Sequence, residues 1–407
     1  MDSAKTGKKL PLIIILGALT SMGALSIDLY LPAFGSIAEN LGTNINEISY
    51  SLSSFFIGLA VGQLLYGPLL ERFGRKRPIY VGMFLYIVAS GGCALAQSVE
   101  ALIVFRFFQA LGGCAGMVSS RAIVRDMFDG KDIARMFSTL MMVVAVSPIL
   151  GPSIGGVLST SLGWRSVFVV LVLLGAGILL GARIILPETR EPDPEFSLRP
   201  RVITGKFLEI LRHPVFMVNA LTGGLIYAGL YAYLSGSPHL YMELLGVSEQ
   251  AFGGIFAIIA VGIISATQIN NLVLKRLISK RIILLALLAL SGVSVIFLSV
   301  TLLGQVGIVL DTVLIFSYLF FMGFVFPNAS ALSLQPMGKV AGSASALMGA
   351  LQMTIGAGVS ALVGLFQGEG TLSMVMAMSL CAFGSLALFY YGHRWIQQHA
   401  SVEEEMG

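Results

Sequence analysis

The sequence predicts an all-α membrane protein with twelve transmembrane helices in two six-helix repeats around a central cavity. Three observations predict it. Of 407 residues, 56% are hydrophobic and only 11% charged, against about 25% charged in an ordinary globular domain. A single soluble core of this length is excluded, because such cores stop growing near about 250–300 residues and still need a charged rind. The apolar residues also fall into runs of about 20, the length that crosses a bilayer as a helix. Finally, the basic residues gather in alternate connections between those runs.

In the first half the runs lie at about 11–33, 46–70, 78–97, 99–122, 135–158 and 163–186; in the second, at about 215–236, 250–274, 281–303, 308–330, 340–366 and 371–392. The opening lysines before an apolar stretch mimic a secretory leader. That stretch is too long for one and lacks a small-residue cleavage site, so it reads as a retained first span. Residues 187–214 form the long proline-rich, charged stretch that divides the spans six and six. The expected organisation is therefore an N-terminal bundle at 1–190, a central loop at 191–214, and a C-terminal bundle with a short tail at 215–407.

Alternate loops hold Lys5, Lys8 and Lys9; Arg72, Arg75, Lys76 and Arg77; Arg125, Lys131 and Arg135; the central loop; and Lys275, Arg276, Lys280 and Arg281. Arg165 is the exception on the other side. Since cytoplasmic loops carry the excess of Lys and Arg, both termini are expected in the cytoplasm, which requires an even number of spans. A basic cluster follows the second span of each half, and RFFQALG in span four matches LFFMGFV in span ten at a similar offset. Two six-span repeats with a solute cavity between them form a known transporter plan.

Several function classes recede. The net charge of +4 makes no case for nucleic acid. Cys93, Cys114 and Cys381 are scattered without metal or disulfide spacing, and the four histidines do not share a depth, so no metal site is expected. There is no GxxxxGK[ST], hence no sign of ATP hydrolysis. An embedded enzyme would need a nucleophile and base converging at one depth.

Asp28 lies in span one within SIDLYLPA, about five residues before the external end. A charge at the bilayer centre costs roughly 2.5–3.5 kcal/mol even on mild scales, so such an acid normally faces a cavity. Protonation removes that cost, which makes Asp28 a candidate proton carrier; an acid snorkelling at the outer interface is the competing reading. Arg106 in span four is expected at the same depth, near enough to hold Asp28 ionised, or else to serve as a structural arginine bonding helix carbonyls. Arg106, Gln109, Gly113, Gly116 and Ser120 recur at helical spacing, a face expected to line the cavity. Tyr30, Tyr227, Tyr231 and Gln352 are further candidates for that lining, although tyrosines near span ends also favour the lipid interface.

Span five contains SPILGPSIGG. Ser147, Gly151 and Gly155 recur every four residues, a smooth stripe for close helix approach. Pro148 and Pro152 lack an N–H and permit a bend, and Gly156 completes the segment as a candidate hinge. After span two, GPLLERFGRKR runs from Gly67 to Arg77. Gly67 and Pro68 are expected to end the helix, Gly74 to make a tight turn, and Glu71, Arg72, Arg75 and Lys76 to place opposite charges together.

GPLLERFGRKR resembles the loop signature of the major facilitator superfamily, with Glu71 where aspartate is usual. RFFQALGG resembles that family's RxxQGxG signature with Ala110 in place of its first glycine, and GPSIGG resembles the antiporter signature of its twelve-span drug/proton antiporters. With SIDLYLPA, WRSVF, LPET, SGSPHLYMELLGVS and AGSASALMGALQ, the chain resembles the bicyclomycin and chloramphenicol resistance (Bcr/CflA) family. The resemblance implies a cytoplasmic charge latch, in which Glu71 meets a neighbouring helix N-terminus and an arginine meets Asp126. It further implies proton coupling through Arg106, a hinge or seal in span five, and export of amphipathic antibiotics such as phenicols; some members export metabolites or siderophores, and an exporter or proton-driven importer of one specific metabolite or siderophore on the same fold is the alternative. On the antibiotic-export reading the protein is a multidrug efflux antiporter of the bacterial inner membrane, needs no cofactor beyond the proton gradient, and works as a monomer on a small amphipathic solute and protons.

Overall fold

In a computed structural model, the structure describes residues 3–128, 131–366 and 371–406, all helical or connecting, with no strand among them. The helices are α1 Ser3–Asp28, α2 Phe34–Leu41, α3 Ile45–Phe73, α4 Lys76–Leu95, α5 Val99–Met127, α6 Lys131–Leu162, α7 Arg165–Ile185, α8 Pro200–Leu211, α9 Pro214–Pro238, α10 Glu249–Val273, α11 Ser279–Leu302, α12 Ile308–Leu334, α13 Ala341–Phe366 and α14 Leu372–Met406. Twelve stretches of the described residues are long and apolar enough to cross a membrane, as expected. The side chains of Lys5, Lys8, Lys9, Lys131 and Arg135, which entered the charge pattern, lie outside the described residues.

Three boundaries depart from the sequence reading. The first span is not one helix: α1 stops at Asp28, a 3-10 turn covers Leu31–Ala33, and α2 follows. Pro32 accounts for this, since it has no N–H to give the carbonyl of Asp28 four residues earlier, where the α-helical ladder stops. Asp28 is therefore a helix C-terminus rather than an interior residue. Gly67 and Pro68 do not end α3; it continues through them to Phe73 and stops at Gly74, whose φ of 78° a side-chain-bearing residue rarely adopts. The central stretch expected as a loop contains α8.

The chain divides into two compact units, 1–202 with Val247–Ala257, and Ile203–Gly246 with 258–407. In the first unit, α1 packs on α5, α6 and α7, α4 packs on α5 and α7, and α3 packs on α5. In the second, α9 packs on α12, α13 and α14, and α11 packs on α12 and α14. There α10 meets α12 where Gly323 faces Ala266 and Asn328 donates to Asn270 at 2.7 Å. Shifted by six spans, the two sets of partners coincide, so the repeat that was faint in sequence is plain in the packing.

Glycines set how closely these helices approach. A Cβ on Gly58 would run into the Phe107 carbonyl of α5, and one on Gly82 into Ala115 of the same helix. Gly112 lies against the Gly82 carbonyl and the Tyr86 backbone. With little gained by moving apolar surface from lipid to protein, such contact and interhelical hydrogen bonds supply the association energy. Gly112→Val is expected to lower stability by about 1–3 kcal/mol, read by thermal unfolding in detergent, whereas Gly91→Ala, whose Cβ meets nothing within 4 Å, leaves it unchanged.

Candidate functional site

Asp28 and the antiporter-like segment of α6 are built onto each other. Ser147 Oγ donates to Asp28 Oδ2 at 2.6 Å. One turn further, a Cβ on Gly151 would lie 2.6 Å from Asp28 Cβ, and one on Gly155 would run into the Leu29 carbonyl. The stripe Ser147, Gly151, Gly155 thus lies along the end of α1, with Pro148 and Pro152 inside the same helix. Gly156 points elsewhere, against the Glu249 carbonyl at 2.8 Å. Asp28 is 6% exposed and sits at the C-terminal end of α1, where the helix dipole offers an anion no support.

Arg106 is fully buried and does not pair with Asp28, contrary to the expectation from shared depth. Its guanidinium lies between two rings, 4.4 Å from the Tyr30 centroid and 4.2 Å from that of Phe55. Nη1 donates to the Ser26 carbonyl at 3.0 Å and to Gln109 Oε1 at 2.6 Å, while Nε and Nη2 have no acceptor. That free edge is the one with which arginine grips a carboxylate bidentately. Two desolvated cation–π contacts, each worth about 2 kcal/mol, offset part of the several kcal/mol that burying an unpaired ion costs.

The supporting network spans four helices. Gln109 Nε2 donates to Ser90 Oγ at 2.8 Å, the Ser26 and Tyr86 hydroxyls are 2.7 Å apart, and Tyr30 and Ser51 hydroxyls are 2.7 Å apart. The polar face of α5 is consequently closed by neighbours instead of lining open space: Gly113 lies against the Tyr86 ring and Gly116 against Leu19 of α1. Tyr30, also expected at a cavity wall, is buried against Phe34 and Phe168. The sequence singled out Ser147 only as a small residue in a stripe, and nothing in it marked Phe55 as a wall of the arginine cage.

The basic loop after α3 holds a second cluster. Arg75 Nε donates to Asp126 Oδ2 at 2.7 Å and Nη2 to Oδ1 at 3.1 Å, a bidentate pair, and Nη1 reaches Glu71 at 3.3 Å. Burial opposes the charge on Arg75, but Asp126 and Glu71 outweigh it and hold the guanidinium above its usual value. Glu71 does not cap a helix; it pairs with Arg75 and, at 2.6 Å, with Arg190. The acid at the α4 N-terminus is Glu188, which accepts from the Arg75 and Lys76 amides at 2.7 and 3.1 Å. Thr189 donates to Asp126 at 2.8 Å, and Arg72 donates to the Phe196 carbonyl at 3.2 Å. Gly74 leaves room for this, since its Cβ would meet Glu188 at 3.1 Å. The LPET segment therefore belongs to the cluster, a role its sequence spacing did not reveal.

In the second unit, Tyr227 packs 4.6 Å from Phe326 and 5.3 Å from Tyr231, whose hydroxyl donates to Met353 Sδ at 3.0 Å. Gln352 is buried on α13, whose backbone there faces Gly224 of α9. These three share one aromatic and polar neighbourhood within that unit.

Twelve spans in two repeated six-helix units, with buried charges beside a glycine-proline helix, define a polytopic transporter-like membrane protein. The Major Facilitator Superfamily model matches residues 14–361, and the chain belongs to that family as a Bcr/CflA-like member. It is 34% identical over 388 residues to the uncharacterized MFS-type transporter YdgK of Bacillus subtilis (strain 168), covering 94% of this chain and 96% of the relative. It is 28% identical over 385 residues to a bicyclomycin resistance protein homolog of Haemophilus influenzae, covering 93% and 95%. The crystal structure of a D-xylose-proton symporter shares the fold, with a TM-score of 0.69 at 15% identity over 92% of this chain and 96% of that one. By family the protein is a membrane transporter and not an enzyme.

Asp126→Asn is expected to destabilise the protein by about 2 kcal/mol, as buried Arg75 loses its bidentate carboxylate and keeps only the longer pair with Glu71, and Glu188→Ala by about 1 kcal/mol through the lost cap. Thermal unfolding in detergent reads both. Arg106→Lys is expected to lower transport by about tenfold or more, because an ammonium cannot stack between two rings or keep the fork; a drug-accumulation assay in cells checks this.

Proposed function

We propose that the protein exports amphipathic small molecules, phenicol-type antibiotics among them, across a bacterial inner membrane in exchange for protons, with both termini in the cytoplasm. One observation carries the reading: the acid at the end of α1 is held by Ser147, the head of the glycine stripe of α6, and not by the nearby buried arginine. Protonating Asp28 changes what it offers Ser147 and so bears on how α1 and α6 pack. Arg106, with its carboxylate-gripping edge free, is the cation that an ionised Asp28 would meet when the ends of α1 and α5 rearrange. Proton binding thereby exchanges one partner of Asp28 for another, a two-state element of the kind that coupling requires.

A proton moving inward supplies about 2.3 kcal/mol per 100 mV, which suffices to bias a balanced equilibrium. The drug reading draws on the antiporter-like segment of α6 and on the relative named as a bicyclomycin resistance protein homolog. Tyr227, Tyr231 and Gln352 are proposed as solute contacts, and the Arg75 cluster as the cytoplasmic latch. No second chain is needed for any of this.

The test is solute-driven proton flux in proteoliposomes under an imposed pH gradient, across a panel of amphipathic antibiotics. Phenicol-type compounds are expected to dissipate the gradient with the natural protein and not with Asp28→Asn. Flux untouched by Asp28→Asn moves coupling to another group. No flux with any panel member favours a transporter dedicated to one metabolite or siderophore.

A further inference from the structure

Another acid, Glu249, occupies a place that neither the proton site nor the basic latch uses. It opens α10, and Val247–Ala257 belongs to the first compact unit although the rest of α10 belongs to the second. Its Oε1 accepts from the Ser36 amide at 3.2 Å and from the Ser36 hydroxyl. Ser36 lies in the first turn of α2, where backbone amides have no acceptor of their own helix and the dipole favours an anion. Glu249 therefore caps α2 from 213 residues away.

The contact extends below the cap. Gly253 lies 2.8 Å from the Pro152 carbonyl by its would-be Cβ, Gly156 faces the Glu249 carbonyl, and Gln250 Nε2 donates to Thr160 Oγ1 at 3.0 Å. Glu249 is the one ionisable residue in Val247–Val273, and Ser147–Leu162 of α6 contains none. On α2 the charged residue is Glu39, and Arg165, which reaches the end of α2, donates to Asn40 and the Ala96 carbonyl rather than to Glu249. Its partners are thus neutral, so opening strands no opposite charge. Glu249 Oε2 is buried without a donor, a cost of about 1–3 kcal/mol that solvent repays on release. The contact is specific yet breakable.

We propose that Glu249 and Ser36 form an external latch, which fastens the first turns of α10 to the end of α2 in this conformation and is undone once in each transport cycle. The inference rests on the alternating-access reading above, because a static protein needs no breakable cap.

The test uses the full-length protein with Thr160→Cys and Gln250→Cys as a cross-linking pair, the native cysteines being buried. Oxidative cross-linking of the pair is expected to slow about tenfold with Glu249→Gln, the loss of a charge-assisted pair of hydrogen bonds, and to slow likewise with Ser36→Ala, which keeps the backbone amide. Size-exclusion profiles identify any variant that fails to fold, and Glu249→Asp then replaces Glu249→Gln as the variant compared. Cross-linked protein is expected to lose transport and regain it with reductant. Unchanged cross-linking rates in the variants, or transport that persists while cross-linked, overturns the latch. Failure of the drug/proton reading would instead show as missing proton flux with the cross-linking differences intact.

Discussion

An ionisable side chain inside hydrocarbon must find a partner or a purpose, and in this chain the first six-helix unit is organised around two that are kept apart. Arg106 is enclosed by Tyr30 and Phe55, tied to Ser26 and Gln109, and left with a free edge. Asp28 answers to Ser147 on another helix. Removing an ion from water costs several kcal/mol, and here the cost is met by the Tyr30 and Phe55 rings, the Ser26 carbonyl and the Gln109 amide, with Ser90 of α4 holding Gln109 in turn. The helices around Arg106 are held in place by the same side chains that solvate the cation. The electrostatic problem and the packing problem are solved together.

The glycines make that solution possible. Where α5 crosses α3 and α4, and where α6 crosses the end of α1, a single added carbon would collide with backbone. Such approach brings Ser26 within hydrogen-bonding reach of Tyr86, and Ser90 within reach of Gln109. At the opposite end of the unit, long charged side chains do comparable work around the buried Arg75 guanidinium, where Arg75, Asp126, Glu71, Glu188 and Arg190 bind a loop and two helix ends.

Much of this was legible in the sequence because lipid imposes simple rules. Apolar run length located the twelve spans, and the loop motif brought Arg75 and Asp126 to notice. Boundaries were harder. Pro32 broke the first span, but a proline near a span end also occurs in continuous helices, so only the structure tells which. Pro68 and Gly67 misled in the other direction, since α3 continues through them. The partners of buried groups were least legible: Asp28 and Arg106 share a depth, yet rotation about each helix axis sends one to α6 and the other to the rings. Glu188 was hidden for a similar reason, as its role depends on a chain reversal between distant segments. Sequence periodicity fixes which face a residue occupies and leaves the neighbour across from it open.

The central claim is that Asp28 exchanges a proton as solute binds. It is tested most directly by measuring proton release from purified, detergent-solubilised protein in weak buffer when a phenicol-type solute is added. The account predicts release from the natural protein and none from Asp28→Asn, with solute binding retained in both. Equal release from the two proteins, or solute binding without any release, would contradict it.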